Sequence, residues 1–256
     1  MKKAITILTI SVIAITMQAQ TNWSKLITGV IKASQAIRIT DADLANIVRE
    51  SVDAMDNNNQ VCSEYDAYTQ RLRKITRGMT SVNGIKLNFK VYRTNELNAF
   101  ACPDGSVRVF SGLMDQLTDD ELLGVIGHEI GHVALKHSKK AWKDELLRSA
   151  TSDAIGAFSG KWSALSESML SNIASAAISA KHSRTHENQA DDYAYDFLKK
   201  HGRNPKAMCT AFEKMKMLTG GEGATYNPLQ QAFSTHPDFD KRINRLKKRA
   251  KKDGYR

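Results

Sequence analysis

The feature that most constrains this chain is the run His-Glu-Ile-Gly-His at residues 128–132, which lies inside an apolar stretch. Thr118, followed by three acidic residues, predicts the capped start of a helix there. On a helix, residues four apart project from one face, so His128 and His132 can share one metal ion. Glu129 lies beside that face, where it can accept a proton from water that the metal activates. The stretch therefore predicts a buried helix that carries a metal site.

One flank of the same predicted helix lacks side chains, because it carries three glycines, Gly124, Gly127 and Gly131. A glycine in a helix interior costs about 0.5–1 kcal/mol relative to alanine. We therefore expect another element to approach this flank closely. The alternative interpretation, two unrelated surface histidines on an amphipathic helix, leaves the glycines unexplained.

A catalytic zinc site needs a third protein ligand and an open position for water. His137 does not fit, because it lies five residues after His132 and so about 140° around the helix. Glu187 and Asp191 are four apart on a second predicted helix and point the same way. Glu187 could then bind zinc while Asp191 accepts the ring N–H of a zinc-binding histidine. Spacing alone favours the other interpretation, in which both are solvated carboxylates on a helix surface.

The rest of the chain predicts a mostly helical α+β fold in one compact unit. Thr40 or Asp41 caps a predicted helix that runs through Met55, followed by a loop and a second helix. Alternating residues then predict a small antiparallel sheet with a turn at residues 102–105. From Ser111 onward the pattern is helical. The predicted loop, second helix and three strands cover residues 56–59, 61–79, 87–92, 99–101 and 106–110.

The first 19 residues have the layout of a secretory signal peptide, with two lysines before an apolar run over residues 4–17. That run is too short for a comfortable membrane span, although an uncleaved anchor remains the alternative. No cysteine precedes Cys62, which excludes a lipoprotein anchor near the cleavage point. Export to an oxidising compartment allows Cys62 and Cys102 to form a disulfide, whereas Cys209 lies in an apolar-periodic run and is expected to be a core residue.

The net charge of +10 at first suggests a nucleic-acid partner. Nine of the 37 basic residues, however, lie in residues 241–256 against one acid, and two more lie in the signal segment. The body of the protein is neutral, so we expect no nucleic-acid binding. The basic C-terminal tail leaves docking on an anionic membrane surface as an open prediction.

Several motifs in order resemble one known family across residues 60–250. They are Asn98-Ala99-Phe100-Ala101, the run at residues 109–113, the stretches 122–132 and 183–191, and Thr235-His236-Pro237 with Arg242-Ile243. Together they resemble the gluzincin family that contains the HtpX heat-shock protease and the CAAX prenyl protease. Because the signal segment is the longest apolar run, the chain looks like the soluble exported branch, found in the periplasm or cell envelope of Gram-negative bacteria.

The resemblance implies a zinc metalloendopeptidase that acts on unfolded or damaged polypeptides. It implies one Zn²⁺ held by His128, His132 and Glu187, with Glu129 as general base and acid and Asp191 as the hydrogen-bond partner of a ligand. It also implies that an edge strand, residues 98–101, holds the substrate in extended form. The predicted boundaries are 1–19 for the signal peptide, 20–80 for a helical scaffold segment and 81–256 for the catalytic domain, with 20–256 packed as one unit.

The last of these motifs, Thr235-His236-Pro237 with Arg242-Ile243, is called the closing motif below. It leaves two interpretations open. Either His236 or Arg242 could stabilise the oxyanion of the tetrahedral intermediate. Alternatively, the motif starts a helix that locks the C-terminal segment onto the core. Gln189 departs from the family, in which many members carry a further acid, and we expect no effect on the metal. The remaining histidines are expected on the surface: His182, His186 and His201.

Overall fold

The computed structural model describes residues 40–151, 166–218 and 235–255. The predicted signal peptide lies outside the described residues. The helices are α1 Asp41–Asn58, α2 Ala67–Ile75, α3 Ser111–Gln116, α4 Asp119–Ala134, α5 His137–Thr151, α6 Glu167–Ile178, α7 Arg184–Lys200, α8 Ala207–Leu218 and α9 Phe239–Lys252. The strands are β1 Ser81–Val82, β2 Ile85–Lys86, β3 Asn88–Tyr92, β4 Ala99–Ala101 and β5 Ser106–Phe110. No helix among the described residues is long and apolar enough to cross a membrane.

The first two helices differ in length from the prediction. Thr40 caps α1 through a capping box with Asp43, as expected, but α1 continues to Asn58. The amide of Asn59 donates to the carbonyl of Met55 and so satisfies the last turn, which extends the helix through the predicted loop. The second helix is shorter, because Asp66 caps it just before Ala67 and Val61 forms a bridge with Tyr92 instead.

The three-stranded sheet has the order β3-β5-β4. The turn at residues 102–105 joins β4 and β5 into the expected antiparallel hairpin. The prediction of a wholly antiparallel sheet is wrong, because β5 inserts between β4 and β3 and runs parallel to β3. Alternation of side chains predicts where strands lie but does not encode their order or direction.

A buried ion pair joins α1 to the sheet. Arg108 lies in the central strand β5 with its side chain 2% exposed, and its guanidinium donates to both carboxylate oxygens of Asp56 at 2.7 and 2.9 Å. Lys90 and Tyr92 donate to the same carboxylate. Burial alone would raise the pKa of Asp56, but these hydrogen bonds outweigh it and lower that pKa. The helix α1 is therefore tied to the central strand of the sheet, β5.

The helix α4 is the central element of the fold, and the close approach predicted from its glycines is confirmed. A Cβ atom built on Gly127 would lie 2.6 Å from the ring of Phe197, and one on Gly131 would lie 3.1 Å from Tyr193, both on α7. A Cβ atom on Gly124 would meet Met208 of α8 at 2.8 Å. The missing side chains thus allow α7 and α8 to pack directly on α4.

The three cysteines are all buried and unpaired. Cys62 belongs to the core around α4, whereas Cys102 belongs to a second core between α1, α6 and the sheet. The suggested disulfide between them is therefore not formed, because the two side chains lie in different cores. Cys209 is a core residue beside α4, as predicted.

Candidate metal centre

The two histidines of residues 128–132 meet one carboxylate from α7. The Nε2 atoms of His128 and His132 are 3.0 Å apart. Glu187 places one oxygen 3.5 Å from Nε2 of His128 and the other 3.4 Å from Nε2 of His132. All three side chains are at most 3% exposed. Two imidazole nitrogens and a carboxylate therefore converge on one point inside the protein.

The local sequence explains why α7 supplies this carboxylate. The side chain of Ser183 caps α7 by accepting from the backbone N–H of His186, so Glu187 lies in the first turn of the helix. The glycine flank of α4 lets α7 pack close enough for Glu187 to reach both histidines. Asp191 follows one turn later on the same face and lies 3.0 Å from Nδ1 of His128.

The donor set and the charge of this centre fit Zn²⁺. Imidazole nitrogen and carboxylate oxygen are common zinc ligands, and three of them leave a position open. The centre also buries the carboxyl groups of Glu129, Glu187 and Asp191, and the buried guanidinium of Arg242 pairs with two of them, Glu187 and Asp191. Because uncompensated buried charge is unfavourable, a divalent cation held by His128, His132 and Glu187 would restore the balance.

The partners of His128 set its charge in the metal-free protein. Burial alone would lower its pKa, but hydrogen bonds to Asp191 and Glu187 raise it to about 9. Arg242 in turn holds Asp191 with bonds of 2.9 and 2.7 Å, and the pKa of Asp191 is lowered although burial opposes this. The carboxylate of Asp191 therefore stays ionised and fixes the ring of His128.

Glu129 lies beside the cluster. Its side chain is 8% exposed, and burial raises its pKa. His236 lies between the two carboxylates, with Nε2 3.6 Å from Glu129 and Nδ1 3.1 Å from Glu187. His236 lies shortly before α9, which starts at Phe239. One of its ring nitrogens lies within 4.8 Å of the metal-binding atoms of His128, His132 and Glu187.

The predicted substrate strand borders this centre. Among the described residues β4 pairs with β5 alone, so its other edge is not part of the sheet. Residues 98–101 line a cleft together with Glu129 and His236, and Trp142 and Ala177 line the same cleft. A second, mostly apolar pocket also borders Glu129 and is lined by Leu97, Leu113, Val125, Phe212, Met215 and Phe239.

A family model for peptidase family M48 matches residues 66–250. The chain belongs to peptidase family M48. Metalloprotease YcaL of Escherichia coli (strain K12) is 41% identical over 220 residues, which cover 86% of this chain and 84% of that protein. Metalloprotease LoiP of the same strain is 34% identical over 226 residues, which cover 88% and 87%. The protein is therefore a zinc metalloprotease, as the resemblance implied, and its substrates are polypeptides.

A more distant relative differs in length. The putative β-barrel assembly-enhancing protease of Vibrio cholerae serotype O1 is 29% identical over 213 residues, which cover 76% of this chain but only 40% of that protein. The similarity thus spans the M48 region and leaves most of that longer protein unmatched.

The M48 centre also contains histidines that the sequence analysis placed on the surface. The ring of His182 stacks on that of His132 with 4.0 Å between centroids, and His186 stacks on His137 at 4.1 Å. Burial, together with the nearby His236, lowers the pKa of His182 to about 3. The surface prediction is therefore wrong for His182, whereas His186 is half-buried and His201 is exposed as expected.

Arg242 and the closing motif occupy the rear of the M48 centre. The Arg242 side chain is 2% exposed, and it contacts Glu187 at 2.7 Å in addition to its two bonds to Asp191. It also lies over the ring of Phe212, with the guanidinium carbon 4.5 Å from the centroid. The helix α9 starts at Phe239, two residues after Pro237, so the motif does begin a helix that packs on the core.

Proposed function

We propose that this M48 protein is an endopeptidase that hydrolyses internal peptide bonds of unfolded or damaged proteins in the cell envelope of a Gram-negative bacterium. The observation that carries the proposal is the edge of β4 that no described strand covers, which lies in the same cleft as Glu129 and His236. An extended segment can add to this edge through main-chain hydrogen bonds, which do not depend on sequence. Only chains that are locally unfolded offer such a segment.

Each residue of the cleft then has a defined role. When bound by His128, His132 and Glu187, zinc polarises the scissile carbonyl and lowers the pKa of water. Glu129 takes the proton from the attacking water and delivers it to the leaving amine. Asp191 holds the ring of His128 by accepting from Nδ1. Residues 98–101 hold the substrate backbone beside Glu129.

His236 is the residue we assign to the oxyanion. It is more exposed than the three ligands, at 14% against at most 3%, and it faces the cleft beside Glu129. A ring N–H there can donate to the oxygen on which negative charge develops. Arg242 is directed at carboxylates instead, so we assign it to positioning Glu187 and Asp191.

Replacing His236 by Phe is expected to lower kcat by about 10²–10³-fold without loss of zinc, because Phe keeps an aromatic ring but removes the N–H that donates to the oxyanion. Activity on a peptide and zinc per chain are measured together. A variant that loses zinc along with activity would make His236 a fourth ligand of a closed structural site and would contradict the assignment. Replacing exposed His201 by Phe is the control.

The location in the envelope rests on two observations. Residues 1–19 have the layout of a signal peptide, which directs export. A relative is named for enhancing β-barrel assembly, and bacterial β-barrels of this kind belong to the outer membrane. Within the exported protein, residues 20–80 serve as a scaffold for the catalytic domain at 81–256, in keeping with the ion pair from Asp56 to Arg108.

Fewer basic side chains of the C-terminal tail are available for docking than its composition suggested. Arg245 and Arg249 of α9 pair with Asp192 of α7 and so hold the helix to the core. The exposed lysines of α9 are Lys241, Lys247, Lys248, Lys251 and Lys252. We propose that these contact anionic lipid headgroups.

Charge reversal tests the docking surface. Protein with Lys248→Glu and Lys252→Glu is expected to lose cosedimentation with anionic vesicles at low salt, because the attraction to the headgroups becomes repulsion. A Lys86→Glu variant, changed on an exposed strand away from α9, is the control. If the unmodified protein does not sediment with the vesicles, the docking proposal fails while the peptidase proposal stands.

Cleavage of one substrate in two states tests the main proposal. A protein substrate held unfolded by a destabilising substitution is expected to be cut at internal bonds, while its folded parent stays intact. Chelation should stop the cleavage and added Zn²⁺ should restore it. Products are identified by mass spectrometry. Equal cleavage of both states, or release of terminal residues alone, would contradict the proposal.

A further inference from the structure

The outer nitrogen of His132 contacts another histidine. Its Nδ1 atom lies 3.1 Å from Nδ1 of His137, which begins α5, and this contact is buried. The other nitrogen of His137, Nε2, lies 3.1 Å from Oε1 of Gln189 on α7. Three residues on three different helices therefore form a continuous chain of hydrogen bonds that ends at the metal centre.

The chemistry of ligation determines the direction of this chain. His132 turns Nε2 toward His128 and Glu187, so Nε2 must present a lone pair and Nδ1 must carry the proton. That proton can be donated only if Nδ1 of His137 is unprotonated. His137 then carries its proton on Nε2 and donates it to the amide oxygen of Gln189. The reverse direction would place a proton on the nitrogen of His132 that faces the metal.

Two neighbouring imidazole rings cover this chain. His182 stacks on His132 and His186 stacks on His137, with centroids 4.0 and 4.1 Å apart. Both rings of the hydrogen-bonded pair are therefore covered on one face. The partner of His132 is a neutral imidazole, whereas the partner of His128 is the carboxylate of Asp191, so the two ligands are held by different chemistry.

We propose that His137 and Gln189 are positioning residues that hold His132 in the tautomer able to bind zinc. The proposal rests on zinc ligation by His132 and assigns a role to Gln189, for which the sequence analysis expected no effect on the metal. Neither residue contacts the substrate cleft through this chain of bonds. Their contribution is to zinc affinity, because loss of such an outer partner typically weakens metal binding by about 10–100-fold.

Zinc affinity of variants at position 137, measured by competition with a chromogenic chelator, is the first test. Replacing His137 by Phe removes the acceptor and is expected to weaken zinc binding by about 10–100-fold. Replacing it by Asn keeps an acceptor near the position of Nδ1 and is expected to restore most of the affinity. His186→Phe keeps the stacked ring but loses its nitrogens, and it should bind zinc as tightly as the unmodified protein.

Thermal unfolding of the metal-free proteins distinguishes a role in positioning His132 from a general destabilisation of the fold. A positioning role predicts that His137→Phe lowers zinc affinity while the Tm of the chelator-treated protein stays near that of the unmodified protein. The absorption spectrum of the Co²⁺-loaded variant should also change, because His132 no longer holds its orientation. Zinc binding by His137→Phe that equals the unmodified protein would overturn the proposal, whatever the outcome of the cleavage assays.

Position 189 gives a second test that does not depend on a core substitution, because Gln189 is exposed. Gln189→Lys places a donor where the chain needs an acceptor and is expected to weaken zinc binding about ten-fold. Gln189→Glu keeps an acceptor and should not weaken it. Thr185→Lys adds the same charge one turn earlier on α7 and is the control. If Gln189→Lys and Thr185→Lys bind zinc equally well, the assigned direction of the chain is wrong.

Discussion

Replacing Glu129 by Gln is expected to lower kcat by about 10²–10⁴-fold and to leave one zinc per chain. The amide has the shape of the carboxyl group but cannot accept a proton from water or deliver it to the leaving amine. Glu129 is not one of the residues whose nitrogen or oxygen atoms cluster within 4.8 Å of one another, and the three zinc ligands belong to that cluster. The metal should therefore stay in place while the chemistry stops.

The environment of Glu129 makes this effect large. The carboxyl group is almost completely buried, and burial raises its pKa, so bulk water cannot easily replace it as a base. A water molecule acting as its own base would lack the fixed position that Glu129 has beside the ligands. Substrate binding along β4 should be unaffected, because Glu129→Gln leaves the edge strand unchanged, so the loss is expected in kcat and not in KM.

Turnover of a peptide by purified protein, with zinc measured by atomic absorption, checks this prediction. Asp120→Asn is the matched control, because Asp120 is on the same helix but is exposed and paired with Arg203. Residual turnover in Glu129→Gln within ten-fold of the unmodified protein would exclude Glu129 as the general base. Loss of zinc from this variant would mean that the residue is a ligand.

The local features of the metal centre could be predicted from sequence, because they depend on helical spacing. Residues four apart share a face, and this placed His128 with His132 and Glu187 with Asp191. Spacing could not show that the two faces meet. That meeting depends on the packing of α7 against the glycine flank of α4, and only the family resemblance connected the two motifs before the structure did.

The parts that could not be predicted depend on contacts between distant segments. The parallel pairing of β3 with β5 follows from the insertion of β5, which strand alternation does not report. The sequence predicts a surface position for His182, because spacing along the chain does not report its contact with His132, 50 residues earlier. It contacts His132 because the backbone N–H of His182 donates to the carbonyl of Thr235, which brings the start of α7 to the closing motif.

Replacing Arg242 by Met is expected to destabilise the protein by about 3–5 kcal/mol, because it removes the partner of two buried carboxylates. Asp191 and Glu187 are each at most 1% exposed and would remain in the core without the guanidinium. Met has a similar length and can still pack on Phe212. The expected loss therefore measures charge and hydrogen bonding more than packing. Arg242→Lys should not restore stability, because an ammonium cannot bind Asp191 through two parallel bonds.

The same substitution distinguishes the two roles considered for Arg242. A positioning role predicts that Arg242→Met also weakens zinc binding by about 10–100-fold, because Asp191 no longer fixes His128 and Glu187 loses its partner. A direct role at the oxyanion predicts a lower kcat with stability and zinc affinity unchanged. Urea unfolding of the metal-free protein and chelator competition measure the two quantities separately.

Arg249 offers the matched control for this experiment. It is on the same helix, pairs with Asp192 at 2.9 Å, and its side chain is 29% exposed. Because solvent screens such a pair, Arg249→Met is expected to cost only about 0–1 kcal/mol and to leave zinc binding unchanged. If Arg242→Met is no more destabilising than Arg249→Met, the guanidinium does not hold the buried carboxylates, and the closing motif must act in the cleft.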